Sequence, residues 1–429
     1  MAHRRPPASF LGWRIVVLAG LAGTMTGPGQ SIGVSAFRSA MVDDLATTDT
    51  ALSTAYMVGT LVASTFLPGI GRWVDRVGAR RAMTVVALAF AAVLAHMSAI
   101  THVAWLAVGF LGIRVMGQGA LSLVSTVVVT HWFRRRRGLA LGVKMTLMAG
   151  GMSMMPLLLS VGVRELGWRW TWLAAAAAVL AVVVPVARLG IVDRPEEVGQ
   201  HPDGGSVLLS EPTPVVEGSV EGVDRRKVVR SPAFLVLAAV AAANSVLITG
   251  MVFHQTNVLG EVGYSNTRAA AMFLPQAIGA VGGGLAFGWL SDRRFRAIMP
   301  GVVAVLLAAT CLLGGMGSTG LEVFAYSVLV GTCTGGGAAV NATLLPHLFG
   351  VQSIGAVSGM MHVVSVVSSS LGAVAFSVGA DLFGDYRSAM VAFAIWPGIT
   401  AVVALALRPT PRLPDGGGGS FRRSPQLGP

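Results

Sequence analysis

Charge is what this sequence has least of. Only 12% of its 429 residues are Asp, Glu, Lys or Arg, while 54% are hydrophobic; a soluble domain carries about a quarter charged residues. This argues against a soluble cytosolic enzyme. Cysteine is scarcer still. Cys311 and Cys333 both lie in apolar runs, which argues against a disulfide framework or a zinc site. No GxGxxG or P-loop stands in the strand–helix setting that would give it meaning, and no catalytic triad can be assembled from scattered Ser, His and Asp. Acidic side chains are missing from the interiors of the apolar runs: the 19 Asp and Glu residues fall in loops or near run ends. This weakens a proton relay through a buried carboxylate, the usual intramembrane arrangement.

What is present is a series of apolar runs, each of about 20 residues. The 55 glycines supply the small residues that let membrane helices approach closely. The runs cover 13–37, 52–70, 82–100, 103–131, 138–161, 170–189, 232–258, 266–290, 298–317, 321–345, 354–379 and 387–406. The expected fold is an all-α polytopic membrane protein with twelve transmembrane helices in two six-helix bundles. It divides into an N-terminal tail (1–12), a first bundle (13–189), a linker (190–231), a second bundle (232–406) and a C-terminal tail (407–429). His3, Arg4 and Arg5 precede the first run as in a signal peptide, but Trp13 to Phe37 is long enough to span and reads as a retained helix. The linker mixes Asp193, Glu196, Glu197, Glu211, Glu217 and Glu221 with Arg225, Arg226 and Lys227 and has few aromatics. The C-terminal tail carries a flexible Gly-rich stretch, Asp415 to Ser420.

A net charge of +12 would suggest a nucleic-acid partner in a soluble chain. Here the charge is sorted by side. Arg72, Arg76, Arg80 and Arg81, then Arg134 to Arg137, then Arg293, Arg294 and Arg296 share one face with both termini, whereas the opposite face holds Arg38, Arg164, Arg169, Arg268 and Arg387. By the positive-inside bias both termini are cytoplasmic, in a multi-pass protein of the inner (plasma) membrane. The expected surroundings are a lipid bilayer, with no nucleic acid and no obligate protein partner. One chain could hold a complete pathway as a monomer.

The loops after the second and eighth runs repeat each other. Gly71, Asp75, Arg76, Gly78, Arg80 and Arg81 are echoed by Gly288, Asp292 and Arg293. Glycine permits a tight departure from a helix, and the carboxylate can accept charge-assisted hydrogen bonds, so the cluster suits a cytoplasmic latch between two rocking bundles. In these loops, and in Arg114-Val-Met-Gly117-Gln118-Gly119 of the fourth run, the sequence resembles the major facilitator superfamily. Ala79 stands where an arginine is common. Two further stretches are similar to its monocarboxylate-transporter-like and oxalate/formate-like branches: Trp132 to Gly142 with Gly150-Gly151, and Gly27-Pro28-Gly29-Gln30 to Phe37. The resemblance implies alternating-access transport of a small organic acid, often with a proton. It departs where animal monocarboxylate carriers have a lysine, near Gln30, and an Asp/Arg pair, near Ala280 and Gly284, so their proton relay does not carry over.

Side chains that are expensive to bury mark the candidate site. Arg114 lies near the middle of the fourth run and should face a cavity or a polar partner. Lys144, nearly two turns into the fifth, either snorkels to the boundary or faces a cavity. Both charges without a deep carboxylate favour an anion over a cation. His254 and His362 are the remaining groups that titrate near neutral pH, as substrate or proton sites or simply as helix-contact hydrogen bonders. Gln30, beside the proline kink, and Tyr56, Gln118 and Asn341 are further lining candidates, with Gln276 and Asn244. Gly282–Gly284 and Gly335–Gly337 read as close-packing or bending elements. The leading expectation is carriage of a mono- or dicarboxylate by alternating access, without a cofactor and with proton coupling left open. The alternatives are an exporter of amphiphilic compounds and a non-transporting receptor.

Overall fold

The computed structural model describes residues 10–204, 228–291, 293, 295–349 and 354–407. All regular structure among them is helical. The segments are α1 (Gly12–Thr24), α2 (Asp49–Val77), α3 (Ala79–Ser98), α4 (Val103–Trp132), α5 (Arg137–Leu166), α6 (Trp168–Gly190), α7 (Pro232–Phe253), α8 (Asn266–Ser291), α9 (Arg296–Met316), α10 (Gly320–Phe349), α11 (Ile354–Phe383) and α12 (Tyr386–Leu407). Eleven of these are long and apolar enough to cross a bilayer. The twelfth, α1, is short because the first run is broken.

Local chemistry sets the boundaries. Thr48 caps α2 by accepting from the Ala51 N–H at 3.1 Å, and Ser231 caps α7 from Phe234 at 3.2 Å with Pro232 in the first turn. Gly78 and Gly167, at φ +87° and +82°, join α2 to α3 and α5 to α6 with no intervening loop. These caps lie outside the apolar windows, so α2 starts before residue 52 and runs past residue 70.

The first run departs from a single continuous helix. α1 ends at Thr24, a 3-10 turn covers Gly27–Gly29, and short helices follow at Ser31–Val34 and Arg38–Asp44. Pro28 cannot donate to an α-helical ladder, and Gln30 adopts an extended φ/ψ of −93°/158°. Hydropathy registers the span but not this break.

Each half buries a core, and the first half's cluster also takes in Phe253 and Ala373 from the second. The first half has one continuous cluster around Phe90, Phe110, Trp132 and Trp172. The second half has two, one around Leu237, Val303 and Leu344 and another around Leu247, Leu307 and Phe376. Within the second half, α8 and α10 touch backbone to backbone. A Cβ on Gly331 would lie 1.8 Å from the Gln276 carbonyl oxygen, and one on Gly335 would lie 1.9 Å from that of Ala280. Gly283 takes part in this seam, whereas Gly282 has open space around it. The outer surface exposes large apolar side chains such as Leu285, Leu382 and Val402, as a bilayer requires. The halves meet where α2 packs on α11 and α5 on α8.

Candidate functional site

The break in the first run has a counterpart in α4. Arg114–Leu121 is π-helical, an irregularity that loosens the backbone ladder and recurs at functional sites. The two irregular segments touch: a Cβ on Gly29 would lie 3.3 Å from the Gly117 Cα and 2.6 Å from the Ile113 carbonyl oxygen. Only glycine at both positions allows the contact. The kink at Gly27–Gln30 and the Arg114–Gly119 motif thus form one junction.

Arg114 is held at this junction, 6% exposed. Its guanidinium carbon lies 5.2 Å from the centre of the Tyr56 ring. It forms no ion pair among the described residues, and its Nη1 is enclosed without a hydrogen-bond partner. One turn on, the Gln118 Oε1 is likewise enclosed and unpartnered. Tyr56 is fully buried; its hydroxyl shares a 2.6 Å hydrogen bond with Ser31 Oγ, and its ring meets Phe110 and, across the interface between halves, Phe253 at 4.6 Å. Arginine, glutamine and tyrosine from α2 and α4 therefore form one group. Gln30 stands at its edge, its amide 3.4 Å from Thr26 Oγ1.

Lys144 sits elsewhere. Its Nζ donates to Thr126 Oγ1 at 3.1 Å and approaches Met148 Sδ at 3.5 Å, fully buried inside the first half, so the side chain does not snorkel to the boundary. His254 is also sealed. Nε2 pairs with the Ala373 carbonyl at 2.8 Å, and the ring stacks on Tyr386. His362 and Asn341 line one cavity with Ser358 and Ser365. Asn341 and Ser365 also line a second cavity, with Asn244. Gln276 donates to Gln255, which in turn donates to the Ala269 carbonyl.

Among the described residues the repeated loops do not bridge the halves. Asp75 and Arg76 are exposed, and Asp75 has no hydrogen bond or ion pair among the described residues. The Arg80 N–H instead donates to Asp193 Oδ1 at 2.6 Å, so the loop is tied to the end of α6 in its own half. A Cβ on Gly71 would come no nearer than 3.9 Å to Leu123, Gly78 forms the joint, and Arg81 is exposed. In the second copy Gly288 has open space, Arg293 lies over Trp289 at 3.7 Å, and Asp292 falls outside the described residues.

The halves are fastened at the opposite end, which sequence reasoning missed. Asp49 pairs with the buried Arg38 and also accepts from Tyr386 Oη at 2.8 Å and Asn257 Nδ2 at 3.0 Å, both from the second half. Thr50 donates to Asp381 at 2.6 Å, and Asn266 to Ser39 at 3.1 Å. Every hydrogen bond between the halves among the described residues lies at this far end. The one available signal was an acidic residue in the first turn of α2, eleven positions after an arginine. The linker segment Pro195–Gly204 also docks on the first half: Asp203 accepts from the backbone N–H groups of Arg134, Arg135 and Arg136 at 2.9, 2.7 and 3.1 Å.

Solved structures share this architecture. A bacterial homolog of the human lysosomal transporter Spinster, in an inward-facing and unoccupied conformation, matches with a TM-score of 0.76 and 15% identity, covering 93% of this chain and 97% of that one. The nucleoside transporter NupG matches with a TM-score of 0.69 and 15% identity, covering 92% and 98%. No curated protein sequence matches. A family model described as Major Facilitator Superfamily matches residues 19–373. With eleven helices long and apolar enough to cross a bilayer and that match over most of its length, the chain belongs to the major facilitator superfamily of membrane transporters, and it is not an enzyme.

Proposed function

We propose that this transporter carries a small organic anion, a mono- or dicarboxylate, by alternating access, with Arg114 as the group that attracts and orients it. The observation behind this reading is the buried Nη1 of Arg114, which has no partner in a half with no deep carboxylate. Such a donor costs several kcal/mol in apolar surroundings unless an acceptor arrives, and a planar guanidinium matches a carboxylate with two parallel bonds. Tyr56 and Gln118 flank the same position. With both termini cytoplasmic, as the basic loops favour, a molecule fastened at its far end and unlatched at the Asp75 loop is in its inward-facing state. A proton-coupled cycle would draw on His362, which lines a cavity, rather than on His254, which is sealed in an aromatic stack.

The test is a panel of radiolabelled organic acids and bulky amphiphiles in proteoliposomes, with and without an imposed pH gradient. Organic-acid flux that falls in the order Arg114, Arg114→Lys, Arg114→Gln supports the reading. Normal affinity and flux in a folded Arg114→Gln variant would sink the role of Arg114. Movement of amphiphiles alone would favour the exporter, and no flux of any compound would favour the receptor.

A further inference from the structure

The second half has a gap in its core, and amides and hydroxyls interrupt the gap's apolar wall. Its two apolar clusters are separate, and between α7, α9, α10 and α11 lies a cavity of about 190 Å³. That is room for roughly six waters at ~30 Å³ each. Asn244, Ser245, Asn341 and Ser365 line it. No side chain of these four makes a hydrogen bond among the described residues, and the Asn244 Oδ1 is enclosed and unpartnered. Gly337 makes the amide's position possible, because a Cβ there would come within 2.9 Å of the Asn244 Nδ2. The wall continues into a neighbouring cavity of about 290 Å³ toward the termini, which shares Asn341 and Ser365 and adds Ser358 and His362.

Among the described residues no Asp, Glu, Lys or Arg lines either cavity. An enclosed amide oxygen without a partner is costly, so Asn244 Oδ1, grouped with a second amide and two hydroxyls around an open volume, points to an occupant that supplies donors and acceptors without a charge. We propose that the Asn244–Asn341–Ser365 cavity is a subsite for a neutral hydrogen-bonding group of the substrate, a hydroxyl or an amide. Resting on the anion reading above, this makes the substrate a hydroxylated or amide-bearing organic acid rather than a plain alkanoate. The two halves then divide recognition: Arg114 takes charge, and α7 and α10 take the uncharged polar part. Asn244 lies nine residues before Phe253 on α7, about 13 Å at a rise of about 1.5 Å per residue, and Phe253 touches Tyr56. The cavity therefore sits on the termini side of the Arg114 group, where an extended acid could reach both or occupy them in turn.

The experiment is calorimetric binding to the full chain in lipid nanodiscs, using butyrate, 3-hydroxybutyrate and 1,3-butanediol, and the pair succinate and malate. The hydroxylated acid should bind about tenfold more tightly than its plain counterpart. Asn244→Leu, Asn341→Leu and Ser365→Ala, each checked by its thermal unfolding midpoint, should bring that ratio to within about threefold. Equal affinities within both pairs in the wild type, a preference that survives in all three variants, or no binding by any compound would overturn the subsite. Diol binding that is lost in Asn341→Leu while no acid binds would keep the subsite and remove the anion reading. Acids bound equally and only when Arg114 is present would do the reverse.

Discussion

Asp49 and Tyr386, one from each half and 337 positions apart, are joined by a 2.8 Å hydrogen bond. The same carboxylate holds the Arg38 guanidinium and the Asn257 amide, so one residue gathers the fastening of the far end. Two turns further along α2, Tyr56 carries Arg114. The end closure and the candidate anion site are thus mounted on one helix.

Asp49→Asn should weaken the fastening, because it removes the charge from three contacts and leaves Arg38 buried without a counter-ion. A loss of about 2 kcal/mol would shift the ratio of the two end states roughly thirtyfold away from the one described. Electron-resonance distances between spin labels at Asp43 and Phe383 report the opening, with little interference from Cys311 and Cys333, which are both buried. An unchanged distance distribution would show that Asp49 does not hold the end closed.

Asp75→Asn should act in the opposite direction. Asp75 has no partner among the described residues in this state, so a latch that uses it should form in the other one. The substitution should therefore enrich the far-end-closed population and lower the maximal transport rate more than it changes substrate affinity. Identical distance distributions in wild type and variant would rule out a latch at this loop.

Tyr56→Phe keeps the ring beneath Arg114 and loses the bond to Ser31, whereas Tyr56→Leu loses both. Substrate KM should rise a few-fold, about twofold to fivefold, in the first and at least about tenfold in the second. Equal KM values in the two variants would mean the ring does not position the guanidinium.

A methyl group at the α8–α10 seam should be tolerated only where there is space. Gly335→Ala puts a Cβ against the Ala280 carbonyl and should destabilise by about 2 kcal/mol or more, visible as a lower unfolding midpoint in detergent. Gly282→Ala, in open space, should be close to neutral.

The linker's hold on the first half should resist mild acid. Burial raises the Asp203 pKa, but the N–H groups of Arg135, Arg136 and Arg134 and the charge of Arg136 outweigh it and keep the carboxyl below its ordinary value. A carboxylate depressed in the folded state contributes above its unfolded pKa of about 4 and loses that contribution as pH falls through the lower folded value. Amide-exchange protection of residues 134–136 should therefore be flat from about pH 8 to 5, decline only below about pH 4, and be reduced at every pH in Asp203→Asn. Loss of protection already near pH 6 would contradict the anchoring.

The fold was legible because a helix that crosses lipid must hide its backbone and show apolar side chains for its whole width, and Pro232 to Phe253 or Met299 to Met316 does so without interruption. Arg114 was legible for the converse reason, as a costly charge in such a run. The π-helical turn around it was not, because it depends on how backbone groups pair and not on which side chains they carry. Arg38 looked like a topology charge at a run end. Its partner became evident only when folding brought Asp49, Asn257 and Tyr386 together. Asn244 and Asn341 stood out in sequence as polar residues in apolar runs, but Ser245 and Ser365 did not, and the gap they line is a property of how α7, α9, α10 and α11 fail to meet.

The seam between α8 and α10 also bears on motion. Where carbonyl oxygens sit against glycine Cα atoms, no side chain remains to slide or repack, so the two helices cannot shear past each other by a fraction of a turn. They should travel as a single stiff plate, with Asn341 on one member and Gln276 on the other. A displacement at the far end, where Gln276 is linked to Gln255, would then reach the Asn341 cavity wall undamped, as the two ends of a lever turn together.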